Sequence, residues 1–220
     1  MSARPAFEGE LEQLNVELIK MGALIEQAIE NSIIAFKNKD ALKAKNTIEK
    51  DRVIDDMEKL IESKCLSIIL KQQPVAKDLR IVSTALKMVT DMERIGDHAS
   101  DISELVLRLD GDYAYNVVEH IPAMADLVIK MLHNSITAFI KGDAKKAMEV
   151  AKLDDEVDEL FNKVKNEVVS ILKSSNDNID MCIDFLMIAK YFEKIGDHAE
   201  NICEWTEFLE TGEHKHKRIL

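Results

Sequence analysis

Apolar residues recur along this chain at alternating spacings of three and four. The first run passes through Leu14, Leu18, Met21, Ile25, Ile29 and Ile33. That rhythm is one face of an α-helix. It predicts a helix beginning near Glu10, after a loose terminus over residues 1–9. Asn38-Lys39-Asp40 interrupts the pattern, and Asp40 suits the N-cap of the next helix. A second helix is predicted from about Ala41 to Lys71. Gln72-Gln73-Pro74 then marks a turn, because the residue before proline avoids the helical region while proline suits a first helical turn. A third helix should run from Pro74 to about Leu109 and stop at Asp110-Gly111-Asp112. Residues 112–121 read as a connector. Pro122 opens a fourth helix to about Ile140, and Lys141-Gly142-Asp143 is a turn with a capping residue. A fifth helix is predicted to about Lys173, Ser174–Asn178 is a polar turn, and a sixth helix runs to about Glu210. Thr211–Leu220 reads as a frayed tail.

The pattern is three helices, twice. Asn31-Ser32-Ile33-Ile34-Ala35-Phe36 matches Asn134-Ser135-Ile136-Thr137-Ala138-Phe139 at an offset of 103. Asp40 and Asp143, Asp51 and Asp154, and Asp55 and Asp158 share that offset. After the second turn the offset becomes 100. The third helix carries a seam of Ile81, Ala85, Met88, Met92, Ile95, Ala99, Ile102, Val106 and Leu109. The sixth repeats it as Met181, Phe185, Ile188, Phe192, Ile195, Ala199, Ile202, Thr206 and Leu209. Such seams belong to coiled-coil-like packing of antiparallel helices. The fold expected is all-α, with two tandem three-helix bundles over residues 1–111 and 112–220.

Composition agrees. Apolar residues make up 46% of 220, while Gly (7) and Pro (3) are scarce, which favours long helices over turns and sheets. A formal net charge of −12 argues against a nucleic-acid partner, which needs a basic face. Met1–Glu10 lacks the basic start and apolar block of a secretory signal, and no apolar run approaches the ~20 residues that span a bilayer. Cys65, Cys182 and Cys203 are far apart and lie in apolar context, so they read as buried free thiols in a reducing cytoplasm.

Within the seams one stretch occurs twice. Glu93-Arg94-Ile95-Gly96-Asp97-His98-Ala99 returns as Glu193-Lys194-Ile195-Gly196-Asp197-His198-Ala199. Each copy puts two carboxylates on one helix face about 6 Å apart along the axis, where like charges repel. Glycine inside a helix costs roughly 1 kcal/mol against Ala, so Gly96 and Gly196 point to close helix approach or to a site needing room. The second and fifth helices carry acid pairs of their own, Asp51 with Asp55 and Asp154 with Asp158. Folding each hairpin at its turn brings Asp51 level with Asp97 and Asp55 level with Glu93. Asp154 falls level with Asp197, and Asp158 with Glu193. Asp101 extends the first patch, and its counterpart Asn201 supplies an uncharged oxygen to the second. Four converging carboxylates call for a cation. Oxygen donors suit Mg²⁺, Mn²⁺, Ca²⁺ or iron, and nitrogen from His98 or His198 shifts the choice towards iron or zinc. Two alternatives stand beside this one. The acids can be a solvated face of a metal-free structural bundle. An enzyme of the di-iron bundle kind is disfavoured, because that class uses Glu-x-x-His and here His98 lies five residues after Glu93.

These features resemble the phosphate-uptake regulator family, PhoU. The resemblance rests on the doubled acid-x-x-x-Asp signature, the Gly-Asp-His-Ala that follows, the Asp51/Asp55 pair with its twin, and Pro74-Val75-Ala76-Lys77-Asp78-Leu79-Arg80 at the first hairpin turn. It covers about residues 7–210. The second half departs from it, since Asn178-Ile179-Asp180 replaces the Asp-Leu-Arg triplet and Lys194 replaces Arg94. The resemblance implies a cytoplasmic, non-enzymatic negative regulator, often a homodimer, with iron or zinc on the acid motifs. It implies two partners, the ATPase of a phosphate-specific ABC transporter and a phosphate-responsive sensor histidine kinase.

Overall fold

The structure is a computed structural model that describes residues 4–109, 118–174, 179–214 and 217–218. Its first half is α1 (Pro5–Asn38), α2 (Ala41–Gln72) and α3 (Lys77–Arg108). Its second half is α4 (Ile121–Lys141), α5 (Ala144–Ala151), α6 (Asp154–Ser174) and α7 (Ile179–Thr211). The predicted all-α architecture holds, with differences at its ends and one internal break.

The ends follow local chemistry. α1 begins at Pro5, earlier than the apolar rhythm indicates, because proline serves the first helical turn where its missing N–H is not needed. Asp40 and Asp143 cap α2 and α5 as predicted, each accepting a hydrogen bond of 2.9 Å from the backbone N–H three residues on. The preceding helices close on left-handed residues, Lys39 and Gly142. α3 starts at Lys77 rather than Pro74, because Gln73 and Ala76 both adopt positive φ and hold Pro74-Val75 in the turn. Gly212, with φ of 72°, ends α7 and reverses the chain into β1 (Glu213–His214) and β2 (Lys217–Arg218), an antiparallel pair where fraying was expected. The stops predicted at Asp110-Gly111-Asp112 and Ser175–Asn178, the connector over 112–117 and the boundary at 111/112 lie outside the described residues.

The predicted fifth helix is broken. Lys152 and Leu153 form a turn, and a new helix opens at Asp154. Leu153 N–H donates to Val150, and the Leu153 carbonyl accepts from Glu156 and Val157. Asp154, Asp155 and Glu156 would crowd like charges inside a helix, whereas in a first turn they face the positive end of the helix dipole.

Both predicted seams are interior: every residue from Ala85 to Leu109 and from Phe185 to Leu209 named above is buried. α3 and α7 pack on each other, and one apolar core runs through both halves. Phe36 of α1 meets Phe185 of α7 edge-on, with ring centres 5.7 Å apart. The three cysteines are buried free thiols. Among the described helices α4 alone is long and apolar enough, by length and composition, to cross a membrane, and half of the relevant window is buried inside the fold as in the core helix of a bundle.

Candidate metal centre

α2 runs unbroken past the first acid pair, so Asp51 and Asp55 stand one turn apart on the face towards α3. Across the hairpin, Gly96 lets the helices close: a Cβ there would lie 3.0 Å from two atoms of Ile54. This approach brings one carboxylate oxygen each of Asp51, Asp55 and Asp97 within 4.8 Å of one another. Glu93 is outside that trio but inside its field. Burial, then the Asp97 charge, push the Glu93 carboxyl up to about 7. Burial, then Asp97, Asp55 and Asp101, push Asp51 up to about 6, and a hydrogen bond from Ser100 works the other way. Arg94 borders the patch, donating to Asp97 at 2.7 Å with Nε 3.4 Å from Glu93. Asp51 Oδ1 and Glu93 Oε2 are nonetheless buried without a hydrogen-bond partner.

The second patch uses the same positions in a different balance. Asp154 sits in the first turn of α6, directly beneath Gly196: a Cβ at that glycine would lie 2.8 Å from Asp154 Oδ1. Here the glycine makes room for a carboxylate rather than for a helix. Burial, then Glu200, Asp197, Asp158 and Glu193, push Asp154 up to about 7. The four predicted acids thus share one field, although no three of them bring oxygens within 4.8 Å of one another as Asp51, Asp55 and Asp97 do. Lys190 donates to Glu193 at 2.6 Å, and Lys194 pairs with both Glu193 and Asp197. Thr90 stands where the second half has Lys190, so the second patch carries an extra cation. Asp154 Oδ1 and Glu193 Oε2 are buried without a hydrogen-bond partner.

Asp101 and Asn201 turn to the junction between the halves. Asp101 lies 3.3 Å from His98 Nδ1, and Asn201 donates to Asp91 at 3.2 Å. His198 Nδ1 is 2.9 Å from the same Asp91 oxygen. The rings of His98 and His198 lie 5.6 Å apart, and His98 also stacks on Tyr191. Both histidines are therefore engaged at the α3–α7 contact, His98 with Asp101 and His198 with Asp91, rather than with the four central acids of either patch. Burial lowers the His98 pKa, with the hydrogen bond to Asp101 working the other way and the neighbouring His198 adding to the lowering.

Sequence reasoning missed Glu58, Asp91, Lys190 and Glu200. The offset of 100 that pairs the motifs also pairs Ser100 with Glu200. That pairing was the available signal, because Ser100 hydrogen-bonds Asp51 where Glu200 repels Asp154. Nothing local marked Asp91, whose partners lie more than a hundred residues away.

The donors fit a hard cation. Both patches offer carboxylate oxygens only, and each keeps two buried oxygens that no hydrogen bond satisfies. Gly196→Ala should lower metal affinity at the second patch about tenfold by pushing Asp154 aside, a loss typical of disturbed ligand placement. Its melting temperature should shift little, since alanine returns roughly 1 kcal/mol of helix propensity. Equal metal titrations of the two proteins would contradict this.

A second expectation concerns pH. Unfolded carboxyls titrate near pH 4, so between about pH 4 and 7 the metal-free fold binds more protons than the unfolded chain. The stability tied to Asp51, Glu93 and Asp154 is full below that window and is lost as pH rises through it. The summed effect is on the order of 2 kcal/mol after allowance for solvent screening. Asp51→Asn with Asp154→Asn should raise the urea midpoint of chelator-treated protein at pH 7.5 and leave it unchanged near pH 4.5. An equal gain at both pH values would show that these carboxyls do not titrate as described.

The family model described as PhoU domain matches residues 18–106 and again 121–206. A phosphate-specific transport system accessory protein PhoU homolog of Clostridium acetobutylicum is 41% identical over 210 residues, covering 95% of this chain and 96% of its own. The Escherichia coli phosphate-specific transport system accessory protein PhoU is 30% identical and covers 94% of this chain and 86% of its own. The crystal structure of PhoU from Pseudomonas aeruginosa superposes with a TM-score of 0.85 at 32% identity, covering 94% of this chain and all of that one. The phosphate transport system regulatory protein PhoU from Streptococcus pneumoniae gives 0.88 at 30% identity, over 94% of this chain and 98% of its own. The duplicated match and these relatives place the chain in the PhoU family, whose members are accessory regulators of a transport system and not enzymes.

Proposed function

We propose that this protein is a cytoplasmic regulator of phosphate uptake and of phosphate-starvation signalling. In this reading it links the ATPase subunit of a phosphate-specific ABC transporter to a sensor histidine kinase and keeps starvation genes off when phosphate is plentiful. It acts as a homodimer, held at the membrane through its partners without insertion. The relatives' names support the transport half of the reading. The kinase half rests on the family resemblance.

The regulator carries metal on its two acid patches, iron or zinc by resemblance, with Mg²⁺, Mn²⁺ and Ca²⁺ as further oxygen-seeking ions. Asp51, Asp55 and Asp97 would hold the first ion, with Glu93 beside them and Asp101 at the edge. Asp154, Asp158, Glu193 and Asp197 would hold the second, with Asn201 at the edge. A bound cation supplies positive charge on which an anion such as phosphate can rest, where bare acids repel it. The observation that supports the metal reading is the pair of buried carboxylate oxygens in each patch that accept no hydrogen bond, one of which in each patch has only an ion-pair contact with Arg94 or Lys194.

A metal-free structural bundle remains the second reading, favoured at the second patch by Lys190 and Lys194. The regulatory reading is tested by capture of the transporter ATPase and the kinase cytoplasmic domain at high and low phosphate. Phosphate-dependent capture is expected, together with derepressed starvation genes after deletion in phosphate-rich medium. Unchanged expression in the deletion strain would refute it.

A further inference from the structure

A third group of donors lies away from both patches. Glu119 and His120 close the turn before α4, and Glu167 projects from α6. One atom from each lies within 4.8 Å of the others. Glu167 is nine residues beyond Asp158, or about 13 Å along the helix. This group therefore shares no ligand with the second patch.

Glu167 is an unusual occupant of its position. It shares a helix face with the buried Val164 and Val168, while Val118 and Ile121 flank the opposite donors and are fully buried. His120 Nδ1 lies 2.5 Å from Glu167 Oε1, yet Glu167 Oε2 is buried with no hydrogen-bond partner. Glu119 remains exposed at the mouth of the group. A carboxylate on an apolar face, one oxygen bound and one orphaned, beside an imidazole and a second carboxylate, is a mixed nitrogen–oxygen donor set. Oxygen-only patches suit hard ions, whereas an imidazole with two carboxylates suits zinc or ferrous iron.

We infer that Glu119, His120 and Glu167 form a separate binding site for one divalent transition-metal ion of the zinc type. The ion takes the place of the hydrogen bond between His120 and Glu167. The two donors then move apart by roughly 0.5–1 Å, since tetrahedral zinc holds its ligands at about 2 Å. A neutral imidazole, two carboxylates and a divalent ion sum to zero charge. The site ties the start of α4 to the middle of α6, so occupancy stiffens the second half independently of the acid patches. The opposing account is an ion pair that docks α6 on the positive end of α4.

Zinc titration of ¹⁵N-labelled full-length protein, followed through the imidazole nitrogens, separates the two. The His120 ring should move to metal-bound shifts, and should do so equally in the Asp97→Ala/Asp197→Ala protein. Failure of the acid-patch reading is thus distinguishable from failure of this one. His120→Gln and Glu167→Gln should each lose one equivalent of zinc in competition with a chromophoric chelator. Glu119→Gln, at an exposed position, leaves the fold intact and should weaken binding about tenfold or more. An unmoved His120 ring at saturating zinc, or an unchanged affinity in Glu119→Gln, would overturn the site.

Discussion

Asp97→Ala combined with Asp197→Ala strips the acid patches of metal. In protein purified without chelator or histidine tag, elemental analysis should show iron or zinc in the wild type. The double variant should retain only what the Glu119–His120–Glu167 site holds. The single variants differ for a physical reason. In the first patch three carboxylates already converge, and Arg94 is the bordering cation. In the second patch Lys190 and Lys194 both occupy the acids, and an incoming ion must displace them. Titration of the apo protein should therefore be biphasic, and Asp97→Ala should remove the tighter phase and Asp197→Ala the weaker. Loss of one carboxylate ligand weakens each phase by more than the ten- to hundredfold that perturbed supporting groups cost. A metal content unchanged in the double variant would show that the patches are surface charge only.

Phe185→Ala should destabilise the protein by about 3–5 kcal/mol, the range for emptying a fully buried aromatic position. Natural domains hold only about 5–15 kcal/mol in total, so this is a large share. Phe185 is fully buried and meets Phe36, which joins the last long helix to the first. The apolar core is continuous across both halves, so the loss should be felt by the whole chain. A fall of roughly 10 °C in a single melting transition is expected at this chain length. Two separated transitions, with the first half unmoved, would mean that the bundles unfold independently. Metal binding to the first patch at low temperature should be preserved, because Phe185 lies on α7 whereas Asp51, Asp55 and Asp97 lie on α2 and α3.

Much of the molecule was legible before folding. Apolar spacing named the helices and both seams, since period and burial are set by the same geometry. Equal rise per residue put Asp51 opposite Asp97, and the doubled motif identified Gly96 and Gly196 as places where something comes close. Periodicity could not say what comes close. Gly96 admits Ile54 and Gly196 admits Asp154, a difference in which side chain of the facing helix leans into the gap. It could not foresee the break at Lys152-Leu153 either, because Ala147, Val150 and Asp154 keep the helical spacing straight through it.

The sequence by itself determined the helical class, the duplication and the acid pairs brought level across each hairpin. Those features follow from rise, period and turn chemistry, which are local. Only the tertiary structure decided that Asp51, Asp55 and Asp97 converge while Glu93 stands beside them, and that Lys190 and Glu200 alter the second patch. It also turned Asp101 and Asn201 to the junction between halves and set Glu119 and His120 against Glu167. Each of these depends on side-chain direction across a helix contact. Such contacts are fixed by the packing of both partners together, and neither strip of sequence contains that information alone.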